Sequence, residues 1–293
     1  MGDFDEFINF LKEAKIKKLK KIEKNHKCSV CDNYGEIYGN ALNDIIKFYT
    51  LDKPGYIASG FNRLEAWKNF PVCFNCSLKI EEGINFLNEK LSFKMAGNNY
   101  FLLPKLIFIN NETKELIKDL IDEIENNIYF NLNKKQTNTL SDIKRISEDE
   151  KEIIFEFGNL KDLVTFNFIF FERQKGSPTI HRITLFIEDI FPSRISKIFK
   201  AKEDVENNDI FKISISKNKS IEFRFDVLKK FIPSEKLLFE VIDKTFRGIK
   251  IDINLLFTWF MNYIRSNFIK GIILEAIVLE AFISLLFFNK LGF

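Results

Sequence analysis

The four cysteines are the residues of this chain whose type and spacing suit one defined chemistry. They form two pairs, Cys28-x-x-Cys31 and Cys73-x-x-Cys76, and the 293-residue chain has no other cysteine. A C-x-x-C turn points two thiolates at one ion, so two such turns supply the closed tetrahedral shell of a structural Zn²⁺ site. A redox site would need only one pair beside a βαβ pattern, and a catalytic zinc keeps one position open for water. We therefore predict one structural zinc ion bound by all four thiolates.

Two disulfides are the alternative use of four cysteines, and they would require an oxidising compartment. The N-terminal sequence mixes acidic with apolar residues and lacks the cationic start and apolar run of a secretory signal. A chain of 293 residues also has ample length for a core without cross-links. We therefore expect reduced thiols in a cytoplasmic protein. Charged residues interrupt every long apolar window, so we expect neither a transmembrane span nor a membrane partner.

The remaining titratable residues form no catalytic pattern. The chain has only two histidines. His26 precedes Cys28 by two residues and is an alternative ligand or a hydrogen-bond donor beside the ion, while His181 near the start of an apolar strand is more typical of a structural residue. Glu188 and Asp189 are adjacent and would point to opposite faces of an extended chain, which is a poor two-metal site. HExxH, Walker and GxSxG motifs do not occur, so we predict that the chain is not an enzyme.

The helices and strands that position the cysteines are predicted from hydrophobic periodicity and from turn residues. We predict an α+β fold in which a zinc ribbon of two CxxC knuckles packs on a mixed domain with a β-hairpin, followed by a mainly helical C-terminal part. Four regions follow: a basic amphipathic helix at 1–27, the zinc-ribbon region with an anchoring helix and strand at 28–110, an α+β region with the hairpin at 111–225, and an apolar helical region at 226–293.

Local patterns place the elements within these regions. A helix should follow Cys76, and residues 100–109 should form a strand in which Pro104 marks an edge or a bulge. Residues 163–172 and 179–187 are rich in β-branched and aromatic residues, and residues typical of turns lie between them, which predicts a hairpin. A helix should begin near Pro192, and the two apolar helices of 252–293 should separate near Gly271, with no cap after the last one.

Nucleic-acid contacts would have to come from local basic patches, because the net charge is only +3. One patch lies before the second cysteine pair, where we expect one of Trp67 and Phe70 to pack under the knuckle and the other to remain exposed beside cations. A second lies on the helix after Pro192. The candidate contacts are Arg63, Trp67, Lys68, Arg194, Lys197 and Lys200. A solvated charged face is the alternative explanation for the second patch, and two core rings without a recognition surface are the alternative for the first.

The C-terminal helices are apolar over most of their circumference. A helical pair with one solvent-exposed face usually carries fewer leucines, isoleucines and phenylalanines than this pair does. We expect this pair to be buried, or else to dock on another part of the subunit or on a helical partner. An isolated chain would otherwise self-associate.

Several longer motifs are more specific than the cysteine pairs. DKPGYIASGF (52–61), WKNFPVCFNCSLKIEEG (67–83) and NYFLLPK (99–105) occur in that order, and IEDIFPSRI (187–195) follows the predicted hairpin. In these motifs the chain resembles the large subunit of type I-B CRISPR interference complexes (Cascade), the Csh-type family with a double CxxC zinc element. The resemblance runs from about residue 28 to at least 200, and more weakly to the end.

The resemblance implies a function as well as a fold. Large subunits of this family help hold the 5′ end of the guide RNA, examine the protospacer-adjacent motif and support recruitment of the helicase-nuclease. The implied partners are guide RNA and target DNA, the other Cascade subunits and the helicase-nuclease. Family members are considerably longer, so the chain is expected to be a fragment or a truncated member. A zinc-stapled protein-interaction scaffold and a metal-dependent nuclease remain the competing functions.

Overall fold

A computed structural model describes residues 25–39, 62–108, 163–173, 179–208 and 223–293, together with isolated positions elsewhere. The predicted basic helix, apart from its last residues, and the motif at 52–61 lie outside the described residues. The chain divides into two compact units. The first unit comprises Met1–Glu89 with Phe171–Thr184, and the second comprises Lys90–Phe170 with Leu185–Phe293. The fold is α+β with a helical C-terminal part, as predicted.

The first unit contains a ribbon of very short strands. Strand β1 (His26–Lys27) pairs antiparallel with β2 (Tyr34–Gly35), and β3 (Ile37–Tyr38) pairs antiparallel with β4 (Val72–Cys73). A 3-10 helix spans Arg63–Asn69, and helix α1 spans Phe74–Lys90. Strands of two residues bury little surface, so the ribbon needs a cross-link or an ion to hold it together.

A four-stranded sheet has the order β5-β6-β7-β8. Its strands are Ser92–Met95, Asn98–Leu106, Val164–Arg173 and Ile180–Ile190, which confirms the predicted hairpin with a second strand that extends further than predicted. The β5–β6 pairing ends at Ser92↔Phe101, so Pro104 lies beyond the segment of β6 that β5 covers. A proline is tolerated there because no hydrogen bond to β5 requires its missing N–H.

Among the residues that the structure describes, five helices follow the sheet: α2 (Pro192–Glu206), α3 (Phe225–Phe231), α4 (Glu235–Arg247), α5 (Ile253–Ile269) and α6 (Glu275–Leu291). Gly271 adopts φ +72° between α5 and α6, so the predicted break is confirmed. The expectation of an uncapped last helix is wrong. Gly292 takes φ 87° after α6 and its N–H bonds the carbonyls of Asn289 and Phe288. A glycine reaches this left-handed conformation without strain.

Aromatic rings make most of the core of the second unit. Phe168 and Phe170 of β7 contact Tyr100 of β6 at ring-centroid distances of 5.6 and 5.1 Å. Their other neighbours lie on α4, where Phe168 meets Phe246 at 4.7 Å and Phe170 meets Phe239 at 5.7 Å. These contacts pack α4 on one face of the sheet. Many of the phenylalanines therefore serve packing.

Helices α5 and α6 each bury one face only. Leu256 and Phe260 of α5 and Phe287 of α6 are buried. The opposite faces and the connecting turn expose apolar side chains, among them Phe268 at 71% and Ile273 at 82%. In the described part of the chain, no helix has the length and apolar character needed to cross a membrane.

Candidate metal centre

The four cysteine sulfurs converge on one point. One Sγ atom from each of Cys28, Cys31, Cys73 and Cys76 lies within 4.8 Å of all the others, and the Cys31 and Cys73 sulfurs are 3.9 Å apart. Four thiolates around a tetrahedral ion with 2.3 Å bonds stand about 3.8 Å from one another. The arrangement therefore fits a single ion, and these four cysteines could bind one.

The first knuckle is closed by backbone hydrogen bonds. The Cys28 N–H donates to the Asn33 carbonyl at 2.9 Å, and the Asp32 N–H donates to the Cys28 carbonyl at 3.1 Å. Asp32 has φ 61°, a left-handed conformation that aspartate and asparagine accept more readily than most residues. The turn returns the chain from β1 into β2 and leaves the sulfurs of Cys28 and Cys31 on the inside of the loop.

The second knuckle joins a strand to a helix. Strand β4 ends at Cys73 and α1 begins at Phe74, so Cys76 lies in the first helical turn. The helix thus starts earlier than the predicted position after Cys76. The reason is geometric, because the first helical turn carries Cys76 back toward Cys73 at the end of the strand. The Ser77 hydroxyl donates to the Phe74 carbonyl at 2.7 Å and supports this turn.

Backbone contacts hold the two knuckles against each other. The Ser29 N–H donates to the Pro71 carbonyl at 2.9 Å, and Ile37 of β3 pairs with Cys73 of β4. The Cys73 N–H also points at the Cys28 sulfur, at 3.3 Å. The sulfurs are therefore brought together by the fold of the ribbon and not by the ion alone.

The thiols at the centre ionise unequally. Burial opposes ionisation of Cys28, but the backbone N–H groups of Cys31, Cys73 and Val30 outweigh it and lower the pKa of Cys28 to about 6. Burial raises the pKa of Cys76 to about 12, and hydrogen bonds with the other thiols add to the shift. A bound cation would favour four thiolates, because metal ions displace thiol protons.

A small apolar cluster lies under the knuckles. Cys28, Val72 and Cys76 are buried, and Phe70 and Ile80 pack against them. Phe70 is therefore the ring that packs beneath the second knuckle, as one of the two rings was expected to do. The cluster is too small to hold the ribbon by itself.

Trp67 is not the exposed ring that we expected beside cations. Trp67 is half-buried, and its ring lies 4.2 Å from the ring of His26. A Cβ atom at Gly39 would lie 2.5 Å from the Trp67 Cβ, so the chain packs closely there. Lys68 is exposed, stands 5.7 Å above the Trp67 ring and pairs with Glu65. His26 accordingly packs its tilted ring against Trp67 and is not among the four clustered ligand residues. The side chain of Arg63 lies outside the described part.

Arg194, one of the predicted nucleic-acid contacts, packs against the end of α4. Its guanidinium donates to the carbonyls of Thr245 and Phe246 at the end of α4, and the ring of Phe293 lies 5.7 Å away. Desolvation by burial lowers the pKa of Arg194. The residue therefore satisfies helix-end carbonyls. Lys197 and Lys200 are exposed on the same helix, one helical turn apart.

Glu188 and Asp189 stand next to each other in β8, and Asp189 has φ 56°. The Lys105 ammonium donates to the Asp189 carboxylate at 2.9 Å, and the Thr165 hydroxyl donates to it at 3.0 Å. These contacts, with that of Lys105 foremost, lower the pKa of Asp189. The Asp189 carboxylate therefore forms an ion pair with Lys105 on the sheet.

The sequence analysis did not single out Tyr34 as an exposed side chain of the ribbon. Its side chain is 77% exposed in β2, directly opposite Lys27 in β1. The signal was available, because a short ribbon that closes around Cys28–Cys31 must carry some side chain on its outer face. Exposure itself became visible only with the strand pairing.

Comparison with known families identifies the chain. The central domain of CRISPR-associated protein TM1802 (cas_TM1802) matches residues 25–190, and the C-terminal domain of the same family matches residues 223–293. The chain belongs to this CRISPR-associated family. The four cysteines of this cas_TM1802 chain lie in its central-domain match, and α3 to α6 lie in its C-terminal-domain match. Searches among curated proteins and among solved structures gave no match.

Proposed function

We propose that this cas_TM1802 chain is a non-catalytic, zinc-stabilised large subunit, or part of one, of a type I-B CRISPR RNA-guided complex (Cascade). In that role it contributes to binding guide RNA and target DNA, to sensing the protospacer-adjacent motif and to recruiting the helicase-nuclease. The observation that carries the proposal is a cluster of four thiols inside the central-domain match of a CRISPR-associated family.

Zinc is the metal that this donor set favours. Four thiolates at tetrahedral spacing select zinc or iron, and four protein ligands leave no position for a substrate or a reactive water. The ion would be held by Cys28, Cys31, Cys73 and Cys76, and it would fix the fold of the ribbon. Elemental analysis separates zinc from iron, and iron would also give the protein a visible colour.

The exposed cations of α2 support a nucleic-acid role. Arg194 anchors the beginning of α2 to the end of α4 through the Thr245 carbonyl at 3.1 Å. This anchor leaves Lys197 and Lys200 exposed on a fixed helix. Backbone contacts of this kind are what RNA-guided effectors need from protein, because base pairing reads the sequence. Two lysines one turn apart can each meet a phosphate.

The test is assembly with the other complex subunits and a guide RNA, followed by a salt titration of target-DNA binding. We expect the double variant Lys197→Ala/Lys200→Ala to flatten the slope of log affinity against log salt by about one to two. The matched control is Lys236→Ala/Lys250→Ala, which removes the same charge from exposed positions elsewhere in the second unit. Equal slopes for all three proteins would refute the role of α2. Failure to assemble would refute the proposed function.

A zinc-stapled scaffold without direct nucleic-acid contact is the second candidate. The exposed apolar side chains of α5, α6 and their turn favour it, because such patches mark protein interaction sites. This candidate predicts assembly with the other subunits and no change in salt slope for any lysine variant of the chain. Mg²⁺-dependent cleavage of an oligonucleotide by the purified chain would contradict both candidates.

A further inference from the structure

We infer that Tyr34 and Lys27 form a stacking site for a base of single-stranded nucleic acid on the outer face of the first zinc knuckle. The inference rests on the proposed function and deepens it, since it assigns a ligand class to a surface that the function alone does not locate.

The strand register places both side chains on one face of the ribbon. Lys27 of β1 is the direct partner of Tyr34 of β2, while His26 is the partner of Gly35. Successive side chains of a strand point to opposite faces. The His26 ring packs on Trp67, 4.2 Å away, so Lys27 and Tyr34 point away from Trp67. The face that they share is the outer one.

Exposure separates Tyr34 from Trp67 and from Phe70, which are both partly buried near the knuckles. Tyr34 is 77% exposed, whereas Trp67 is half-buried between His26 and the backbone at Gly39. A ring that stacks on a base must offer a whole face to it, and a neighbouring cation then meets the phosphate. Tyr34 satisfies the first requirement, and Lys27 satisfies the second.

Asp32 competes with a phosphate for the Lys27 ammonium at this site. Its carboxylate pairs with the Lys27 ammonium at 2.9 Å, and both side chains are more than half exposed. An exposed ion pair is weak and exchanges readily, so a phosphate can compete with Asp32 for Lys27. The arrangement predicts opposite effects for two neighbouring substitutions. Removing the Asp32 charge should strengthen nucleic-acid binding, and removing the Lys27 charge should weaken it.

The knuckle holds the backbone that carries the Tyr34 ring in place. The turn between β1 and β2 is closed by Cys28 N–H to the Asn33 carbonyl at 2.9 Å and by Asp32 N–H to the Cys28 carbonyl at 3.1 Å. Tyr34 follows this turn at once, so its backbone position is fixed. A fixed backbone has less conformational entropy to lose when its side chain stacks than the backbone of a loose loop.

The test uses the full chain, with zinc bound, and fluorescein-labelled 12-nucleotide single strands of RNA and of DNA. We expect Tyr34→Ala to weaken binding by about 5- to 150-fold, Tyr34→Phe to preserve it, and Tyr34→Leu to behave like the alanine variant. Asp32→Asn should bind more tightly with a salt slope steeper by about 0.7, and Lys27→Ala should show the reverse. Asparagine also accepts the left-handed backbone of Asp32, so this variant should keep the fold. The RNA and DNA arms identify which strand the site prefers.

Val30→Ala is the matched control, because Val30 lies on the same knuckle, is 49% exposed and carries no ring. Zinc content and melting temperature should be unchanged in every variant. If the wild-type chain binds the strands and Tyr34→Ala and Asp32→Asn change nothing, the inference fails and the proposed function stands. If the wild-type chain binds neither strand, the inference fails as well, and assembly with guide RNA then decides the proposed function separately. If Tyr34→Ala spares strand binding but blocks assembly, the surface is a protein contact and the inference is overturned.

Discussion

Loss of one cysteine ligand should unfold the ribbon of the first unit while the second unit remains folded. We predict this for Cys73→Ser. The residues affected should include both knuckles and the start of α1, because the buried cluster of Cys28, Val72 and Cys76 is organised around the thiols. The core of the second unit depends on Phe168, Phe170 and their neighbours and contains no cysteine.

The magnitudes decide the outcome. A structural zinc ion contributes about 10–16 kcal/mol of apparent binding free energy to a small metal-dependent domain. The apolar cluster under the knuckles is much weaker, because full burial of one valine-sized side chain is worth about 1.5–3 kcal/mol. Its gain cannot offset the ordering of the ribbon, which costs about 1–2 kcal/mol per residue. The three-thiolate site of Cys73→Ser therefore should not hold the ribbon.

Hydrogen exchange with mass spectrometry is the appropriate assay, since it reports each segment separately. We expect residues 28–39 and 62–83 of Cys73→Ser to lose protection, residues 164–170 of β7 to keep it, and elemental analysis to show zinc falling from one ion per chain to well below one. Ser29→Ala is the control, because Ser29 lies beside a ligand but binds Pro71 through its backbone N–H. The reasoning is refuted if wild-type protein holds no metal, has four free thiols and protects the ribbon all the same.

Three further predictions concern the second unit. Arg194→Ala should lower the free energy of unfolding by about 1.5–3 kcal/mol in a urea titration, because it strips a charged donor from helix-end carbonyls, while Lys197→Ala should change it by less than about 0.5 kcal/mol. Gly97→Ala should lower the free energy of unfolding by about 1 kcal/mol in the same titration, because φ is +76° at Gly97. Ala96→Gly, at φ 52°, should lower it by less, because relief of backbone strain offsets the greater conformational freedom of glycine in the unfolded chain. Ile273→Ser, at an 82% exposed position, should reduce self-association in sedimentation velocity without lowering stability.

Each of these has a result that contradicts it. Equal free energies of unfolding for the Arg194 and Lys197 variants would mean that Arg194 belongs to the exposed charged face of α2. An Ala96→Gly loss as large as that of Gly97→Ala would mean that the β5–β6 turn stores no strain. A monomeric wild-type chain at high concentration would remove the reason for testing Ile273.

The cysteine cluster was predictable because much of its signal is local. Two C-x-x-C spacings each determine a turn, and a turn determines where two sulfurs point, so sequence alone brings Cys28 to Cys31 and Cys73 to Cys76. The β7–β8 hairpin and the α5–α6 break were predictable for the same reason. The cap at Gly292 was readable too, since a glycine just past a periodic apolar helix is a standard stop.

The role of Arg194 was not predictable, because its carbonyl partners lie 51 and 52 residues away in the sequence. Spacing within α2 gave Arg194, Lys197 and Lys200 the same status, and only packing against α4 separates the first from the other two. Exposure of Tyr34 likewise depends on how β1 pairs with β2. Burial is a property of tertiary contacts, which a one-dimensional pattern does not contain.

The two candidate nucleic-acid surfaces depend on different sources of stability, and this difference yields the final prediction. Tyr34 and Lys27 sit on a ribbon that the metal should hold, while Lys197 and Lys200 sit on a helix that belongs to the aromatic second unit. Chelation should therefore abolish the effect of Tyr34→Ala on strand binding and leave the effect of the α2 double variant on the salt slope intact. We would measure both in matched titrations with and without a zinc chelator, and with zinc restored afterwards. If chelation removes both effects together, the metal supports more of the chain than the ribbon; if it removes neither, the ribbon folds without metal and the proposed role of the thiolates is wrong.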